Sequence, residues 1–248
     1  TPRNGKAVEI NALWYSDLRF LAQVEREQGN LLRAGQYANL ADLVRVSFNA
    51  KFWNKSSEQD LNASPIFDVI EGDPHQGALR PNMIFAVSHG GDLLSPERQR
   101  VVLEAVNRDL LTPYGLRTLS PRDSNYQARH KGDDRNNHQG SVHPWLLGPY
   151  IDALVQVRRH EAIPEHVIRT EIKTLTSPLL IYFLESSVGS LPGLFDGGEP
   201  GQETLHQNSG GSRSQAWGVA ELLRCLVQYQ IFPSMPWPIP DDESKDSG

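Results

Sequence analysis

The sequence predicts an all-α fold whose helices run up and down and form a toroid with a pocket at one end. Three observations lead to this prediction. Apolar residues recur at spacings of three and four along most of the chain, strand-like alternation is scarce, and short and long connections alternate between the helices. In an up-and-down array every second connection lies at the same end, so the long connections should gather there.

Seven helices are predicted in chain order. The first, over 8–25, carries an apolar face of Ile10, Leu13, Trp14, Leu18, Leu21 and Val24, and the second, over about 33–48, turns Leu40, Leu43, Val44 and Phe48 inward. A third covers about 79–89, and a fourth opens with Ser95 as N-cap and Pro96 in the first turn, running to Leu110. The fifth covers about 143–159. The sixth starts at Pro164 and continues through Ile168, Ile172, Leu175, Leu179 and Phe183, and the seventh, over about 213–230, carries Trp217, Ala220, Leu223 and Val227.

Three connections are long: about 49–78, 111–142 and 187–212. Loops of this length are uncommon in compact domains and often carry function. Gathered at one end of a rigid helical ring, they would form the walls of a pocket. The alternative is a plain helical bundle with irregular loops, but the short–long alternation holds three times in succession and favours the pocket.

Composition and charge exclude several classes of protein. The 248 residues are 38% hydrophobic and 22% charged, which is ordinary for a globular protein. A net charge of −6 and dispersed basic residues argue against nucleic acid as a partner. The single cysteine, Cys225, allows no internal disulfide and indicates a buried structural thiol in a reducing compartment, so we expect a cytoplasmic protein.

The ends of the chain also support expectations. No segment has the length of a membrane span, and no signal peptide is visible. The first residues, TPRNGKAVEI, resemble the middle of a sequence, so we expect a fragment of a longer polypeptide. We expect one domain over 1–232, followed by a proline-rich and acidic tail over 233–248.

The loop 111–142 alternates hydrogen-bond donors and acceptors, and Trp145 follows it. Its polar residues are Arg122, His130, Asp133, Asp134, Arg135, Asn137, His138, Gln139 and, just beyond, His143. A polar array beside an indole suits a sugar, whose hydroxyl groups need paired donors and acceptors and whose apolar ring face packs on an aromatic ring. A solvated loop would explain the polarity but not the turn HQGSVHPW that leads directly into a helix.

Other kinds of site have less support. The segment HEAIPEH, 160–166, places its histidines six residues apart with Pro164 between them, so they cannot share the helical face that a zinc site needs. Three further histidines, His130, His138 and His143, have no recognised metal-binding spacing. We therefore expect no metal and no cofactor. Neither a nucleophile elbow nor a phosphate-binding glycine motif is present.

Carboxylates remain as candidates, because glycoside hydrolysis requires two of them, one protonated and one ionised. The loop 187–212 offers Asp196, Glu199 and Glu203, the loop 111–142 offers Asp123, Asp133 and Asp134, and Glu9 stands at the start of the first helix. Most surface acids are simply solvated charges, and composition alone does not choose among these.

The chain also resembles a known family, the C-terminal amylo-α-1,6-glucosidase domain of glycogen debranching enzymes. The resemblance lies in TPRNGKAVEINALWY (1–15), FDVI with RPNMIFAVS (67–88), LLTPYGLRTLSP (110–121), HQGSVHPWLLGPYIDA (138–153) and LPGLFDGG…SQAWGVAELLR (191–224). It implies an (α/α)6 toroid, of which seven helices would be the C-terminal half or more. It further implies cofactor-free, inverting hydrolysis of an α-1,6-linked glucose at a branch point of glycogen or a similar glucan.

The resemblance also implies the residues that line the pocket: Arg3, Glu9, Asn11, Trp14, Arg80, Asn82, His138, Gln139 and Trp145. For Trp14 the alternative is a place in the helical core, and for Trp217 we expect the core. Arg80 and Asn82, just before a helix, would either contact the sugar or cap that helix.

The sequence departs from the family pattern at the catalytic positions. The family's general acid lies upstream of the segment that resembles TPRNGK, and its general base is the glutamate of Leu-Pro-Glu-Leu, where this chain has Gly193. Asn137 and His143 replace a tyrosine and a tryptophan that are common there. Asp196 or Glu199 could replace the base through a water molecule, with Asp196 alternatively orienting its loop. The alternatives to an enzyme are a non-catalytic glucan-binding module and a scaffold without a sugar function.

Overall fold

Seven helices dominate the part of the chain that the computed structural model describes, which is residues 3–60, 62–72, 77–132, 137–186, 188–199 and 208–231. They are α1 (Val8–Glu27), α2 (Leu31–Lys51), α3 (Phe85–Ser88), α4 (Pro96–Asp109), α5 (Leu147–His160), α6 (Glu165–Glu185) and α7 (Ala216–Gln228). The predicted all-α class is therefore confirmed. The predicted tail, 233–248, lies outside the described residues.

Two predicted helices begin later than the sequence indicated. The third is a 3-10 turn over Pro81–Ile84 that continues into the four-residue α3. The fifth is preceded by a strand over Val142–His143 and a 3-10 turn over Pro144–Leu146. Both turns begin at a proline, whose fixed φ suits the first turn of a helix but which offers no backbone N–H to the segment before it.

The long connections form strands too short to produce an alternating pattern in the sequence. β1 (Lys6–Ala7) pairs with β2 (Val69–Ile70). A second, fully antiparallel sheet has the order β3 (Leu111–Thr112), β4 (Gly115–Arg117), β5 (Val142–His143), β6 (Leu194–Phe195) and β7 (Ser209–Gly210). This second sheet joins the loop 111–142 to the loop 187–212.

Buried hydrogen bonds fix the long loops to each other. Arg117, which is fully buried, donates from Nε to the carbonyl oxygen of Gly197 at 2.8 Å. The Tyr126 hydroxyl donates to the carbonyl oxygen of Gly198 at 2.7 Å. The backbone N–H of Ser120 donates to the carbonyl oxygen of Leu79, the residue that directly follows the first long loop, at 3.0 Å. The three long loops therefore meet, as the alternation of connections predicts.

The core is centred on α5, which is buried along most of its length and packs against α3, α4, α6 and α7. Gly148 on α5 permits a close approach of α7, because a Cβ at this position would collide with the Glu221 side chain. Cys225 on α7 is buried, as predicted, and burial raises the pKa of its thiol to about 12. No helix in the described ranges combines the length and the apolarity needed to cross a membrane.

The predicted inward faces of three helices are partly or wholly wrong. On α1, Ile10, Trp14 and Leu21 are exposed, and the buried residues are Val8, Ala12, Tyr15, Leu18 and Ala22. On α2, Leu40 and Leu43 are exposed while Phe48 is buried. On α7, the predicted residues Trp217, Ala220, Leu223 and Val227 are all exposed. The buried residues of α7 are Gly218, Leu222, Cys225 and Leu226. These helices carry two apolar stripes, and small residues such as Ala12 and Ala41 select the stripe on which neighbouring helices pack closely. On α6 the predicted Ile168, Ile172 and Leu179 are buried.

Candidate functional site

A cleft of about 410 Å³ opens between the start of the chain, the residues around Arg80, the loop 111–142 with the residues just after it, and the start of α7. This volume falls within the roughly 300–1,000 Å³ that is typical of small-molecule sites. We call it the central cleft. Its lining consists of Arg3, Arg80, Pro81, Asn82, Thr118, His138, His143, Trp145, Leu146, Gln215 and Trp217.

The cationic wall of the central cleft begins with Arg3, which two carboxylates hold. Its Nη1 and Nη2 donate to the two carboxylate oxygens of Glu9 at 2.6 and 2.9 Å. Its Nε donates to Asp68 Oδ2 at 2.9 Å. The hydrogen bond with Glu9 raises the pKa of Arg3 still further, so this guanidinium stays charged.

Asp68, which the sequence analysis did not single out, connects two residues of the lining. Besides Arg3, it accepts a hydrogen bond from Asn82 Nδ2 at its other oxygen, at 2.9 Å. Its side chain is only 6% exposed, and burial raises the pKa of its carboxyl group. The segment FDVI carries part of the family resemblance, but its spacing does not indicate that Asp68 contacts residues on two other segments.

Arg80, which follows the first long loop closely in sequence, binds the loop 111–142 at the cleft. Its guanidinium donates to the carbonyl oxygens of Thr118 and His138, at 3.1 and 2.5 Å, and to Gln139 Oε1 at 3.3 Å. It stands at the N-cap position of the turn that starts at Pro81, but its side chain makes no capping hydrogen bond. Of the two roles expected for Arg80, contact with the cleft therefore fits better than capping.

Two histidines form the next part of the lining. The rings of His138 and His143 are nearly parallel, with centroids 6.3 Å apart and an interplanar angle of 7°. His143 Nε2 lies 3.2 Å from the carbonyl oxygen of Asn137. Burial lowers the pKa of both rings below 6.5, and the positive charges of Arg80 and Arg3 lower that of His138 further.

The aromatic wall consists of Trp145 and Trp217, whose rings stack with centroids 6.4 Å apart and an interplanar angle of 20°. Trp217 is 59% exposed and lines the cleft, so its expected place in the helical core is wrong. The reason is geometric: Gly218, not Trp217, faces the interior at the start of α7, where a Cβ would contact Pro144 and Leu191.

Two residues expected in the pocket lie elsewhere. Asn11 and Trp14 line a separate groove of about 300 Å³ between α1 and α2, which we call the helical groove. Asn11 Nδ2 donates to the carbonyl oxygen of Ala7 at 2.8 Å, within the first turn of α1. Gln139 contacts the cleft only through Arg80, and Glu9 only through Arg3.

Gly193 lies behind one wall of the central cleft. Its N–H donates to the carbonyl oxygen of Ser212 at 2.8 Å. A Cβ built on it would lie 3.1 Å from Ser212 Oγ and 3.2 Å from Gln215 Oε1. It would also lie 3.2 Å from the backbone N of Ser212, so a side chain at 193 requires shifts of a few tenths of an ångström in the Ser212 backbone as well as in Gln215, which lines the cleft.

Those predicted carboxylates that fall within the described residues lie outside this lining. Asp196 accepts hydrogen bonds from the backbone N–H of His130 at 2.8 Å and from Asn208 Nδ2 at 3.3 Å. Glu199 is exposed. Asp123 accepts from the backbone N–H of Asn125 within its own turn, at 2.8 Å. The other three candidates, Asp133, Asp134 and Glu203, fall outside the described residues.

Metal-binding geometry is also absent from the described part of the chain, where no three His, Cys, Asp or Glu side chains converge to hold an ion. The histidines His138 and His143 lie close together, but Arg3 and Arg80 are their neighbours in the cleft.

Comparison with known proteins agrees with the resemblance found in the sequence. The family model described as amylo-alpha-1,6-glucosidase matches residues 1–224. A curated relative, the glycogen debranching enzyme of Saccharomyces cerevisiae, is 28% identical over an alignment that covers 62% of this chain and 12% of the relative. The chain thus spans about one eighth of that relative's length.

Solved structures show the same fold. A sialidase superposes with a TM-score of 0.65 at 15% identity, over 91% of this chain and 20% of the sialidase chain. The neutral trehalase of Saccharomyces cerevisiae superposes with a TM-score of 0.60 at 13% identity, over 92% of this chain and 38% of its own. Both are (α/α)6 barrels, and the present chain has the architecture of part of such a barrel.

Proposed function

Because the chain belongs to the amylo-alpha-1,6-glucosidase family, we propose that its central cleft binds the single glucosyl unit that is α-1,6-linked at a branch point of glycogen or a similar α-glucan. The chain is a glycoside hydrolase-family domain related to glycogen debranching enzyme. Hydrolytic removal of that glucosyl unit is the activity we assign to the complete site.

One observation carries the proposal: a stacked pair of indoles and a set of hydrogen-bond donors line the same cleft. Trp145 and Trp217 offer aromatic surface to the apolar face of a sugar ring. Arg3, Arg80 and Asn82 offer N–H donors to its hydroxyl groups. Arg3 and Asn82 are both oriented by Asp68, so these donors are arranged before a ligand binds.

The proposed chemistry needs two carboxylates, an acid for the leaving oxygen and a base for the attacking water. The position that resembles the family's base is Gly193, and no aspartate or glutamate belongs to the described lining of the central cleft. We assign Asp196 to orienting its loop, because both of its oxygens accept hydrogen bonds from that part of the fold. Glu199, which is exposed, stays a candidate for a replacement base acting through water.

This lack of carboxylates in the described lining also favours a second function, that of a non-catalytic glucan-binding module. Such a module would keep the indoles and the donors of the central cleft without hydrolysing what it binds. The enzyme and the module therefore make the same prediction for sugar binding and different predictions for glucose release.

One experiment separates them: calorimetric titration with isomaltose, together with glucose release from a dextrin that carries single α-1,6-glucosyl stubs. Binding with release by the Gly193→Glu variant alone supports the enzyme with Gly193 at the base position. Release by the unmodified chain would contradict that assignment and direct the search to Glu199. Binding without release from either protein would fit the module and equally a fragment of the enzyme without the upstream acid, and failure to bind isomaltose or maltose would contradict both functions.

A further inference from the structure

The charged side chains that line the central cleft all carry, or can carry, positive charge. Arg3, Arg80, His138 and His143 contribute to its surface. The described lining contains no aspartate and no glutamate. This contrasts with the protein as a whole, whose net charge is −6.

In the described part of the chain, two carboxylates next to the cleft are bound by Arg3. Both carboxylates, Glu9 and Asp68, are engaged with its guanidinium, and Asp68 also accepts from Asn82. Neither belongs to the lining of the cleft. The positive charges near His138 are those of Arg80 and Arg3, while His143 faces His138, His130 and the carbonyl oxygen of Asn137.

Gly193 adds to the excess of positive over negative side chains in the lining of the cleft. A glutamate here would extend toward Gln215 and bring a negative charge to the wall of the cleft. Glycine brings none, so the cleft is more positive by one charge than it would be with the residue that the family resemblance implies. In a partly desolvated cleft, one charge at a few ångströms changes the affinity for a charged ligand considerably.

We propose that the central cleft prefers a glucosyl unit that carries an anionic ester, a phosphate or sulfate monoester, over an unsubstituted one. This inference rests on the proposed function, since it assumes that the cleft holds a sugar. Guanidinium groups recognise such tetrahedral oxyanions through charge-assisted hydrogen bonds, which are stronger than bonds to neutral hydroxyl groups. The stacked indoles would still hold the apolar face of the sugar ring.

The ligand test uses calorimetric titration of the whole chain with D-glucose 6-sulfate, D-glucose and sodium sulfate, at constant ionic strength and in a buffer without competing anions. The sulfate ester keeps one charge across neutral pH, so its own titration does not enter. We expect it to bind about ten-fold more tightly than glucose, and more tightly than inorganic sulfate. D-glucose 6-phosphate should show a preference of at least the same size.

Variants test the origin of the preference. Gly193→Glu should reduce the ratio of the affinity for D-glucose 6-sulfate to the affinity for D-glucose to about two-fold or less. The matched control is Gly35→Glu on α2, which adds the same charge where a Cβ meets no atom within 4 Å. It should leave the ratio unchanged. If Gly193→Glu does not fold, Gln215→Glu provides the same test, because it adds one negative charge to the lining of the cleft with almost no change in side-chain shape, and the ratio should again fall to about two-fold or less.

The outcomes distinguish this inference from the function on which it rests. Equal affinity for glucose and its sulfate would overturn the inference and leave the proposed function standing. Inorganic sulfate that binds as tightly as the ester would also overturn it, because the sugar would then contribute nothing. No binding of any sugar, charged or neutral, would overturn the proposed function itself.

Discussion

Two exposed tryptophans in this protein lie in two different concave surfaces. Trp217 is 59% exposed and lines the central cleft, where it stacks on Trp145. Trp14 is 48% exposed and lines the helical groove between α1 and α2. Sequence reasoning placed Trp14 in the pocket and Trp217 in the core, and the structure places both differently.

The difference lies in how many parts of the chain meet at each surface. The central cleft draws on the start of the chain, the residues around Arg80, the loop 111–142 and the start of α7. The helical groove is formed by α1, α2 and the adjacent strands, with side chains such as Leu43 and Lys51. Exposure of an aromatic ring is by itself a weak sign of a binding site. The sign is stronger when hydrogen-bond donors from several distant segments lie around the same ring.

The largest expected effect concerns two glycines in the left-handed region, one next to a residue of the central cleft and one in the turn that joins α1 to α2. Gly115, with φ +138°, begins β4, and a Cβ there would collide with the carbonyl oxygen of His143. Gly29, with φ +81°, lies between α1 and α2 with no atom within 4 Å of such a Cβ. Gly115→Ala should lower the free energy of unfolding by about 3 kcal/mol and Gly29→Ala by about 1 kcal/mol, as measured by urea denaturation. Equal losses would show that the strand pairing next to the cleft adjusts to a side chain.

A smaller loss is expected from two carboxylates that each hold two partners. Asp68→Ala leaves Arg3 Nε and the Asn82 amide without their buried acceptor, so we expect a loss of about 2 kcal/mol in the free energy of unfolding. Glu71 bridges Lys6 and Lys51 beside the helical groove, but all three side chains are about half exposed. Glu71→Gln should leave the urea midpoint unchanged. If Glu71→Gln lowered the free energy of unfolding as much as Asp68→Ala does, the buried ion pair at the central cleft would be no more stabilising than the exposed one beside the helical groove.

Sugar affinity should separate the two tryptophans directly. Trp217→Ala removes one of the two stacked rings, so the affinity for isomaltose should fall about ten-fold. Trp14→Ala should leave it unchanged, because its ring lies in the other groove. Calorimetric titration of both variants measures this. A loss of affinity in Trp14→Ala would mean that the helical groove also holds part of the ligand.

The smallest expected effect is a pH dependence that arises at the cleft. The pKa of His138 and that of His143 are lowered from 6.5 in the folded chain, so the unfolded chain binds protons at a higher pH than the folded chain does. The free energy of unfolding should therefore decrease as the pH falls from about 7.5 through 6.5 toward the lowered values.

The variant His143→Gln should make that decrease shallower, whereas His166→Gln, at an exposed position on α6, should preserve it. Urea denaturation at each pH measures the slope. If the slope is the same in all three proteins, the pH dependence arises outside the central cleft.

Sequence patterns located most elements of the fold but not always the side of a helix that faces inward. The periodicity of α6 identified Ile168 and Ile172 correctly. On α1 it favoured the stripe of Ile10 and Trp14, although the interior is built largely on Ala12 and Tyr15. A helix with two apolar stripes has the same period on both, and only the neighbouring helix decides which one is buried.

The sequence by itself determined the all-α class, the alternation of short and long connections and the family to which the chain belongs, because these depend on local spacing and on motif order. It also identified many of the residues that form the cleft, among them Arg3, Arg80, His138 and Trp145. Only the tertiary structure decided that Asp68 orients Arg3 and Asn82, that Trp217 faces the cleft and that Trp14 does not. The lining of the cleft draws on residues up to about two hundred positions apart, and the packing of distant segments, which no local pattern encodes, brings them together.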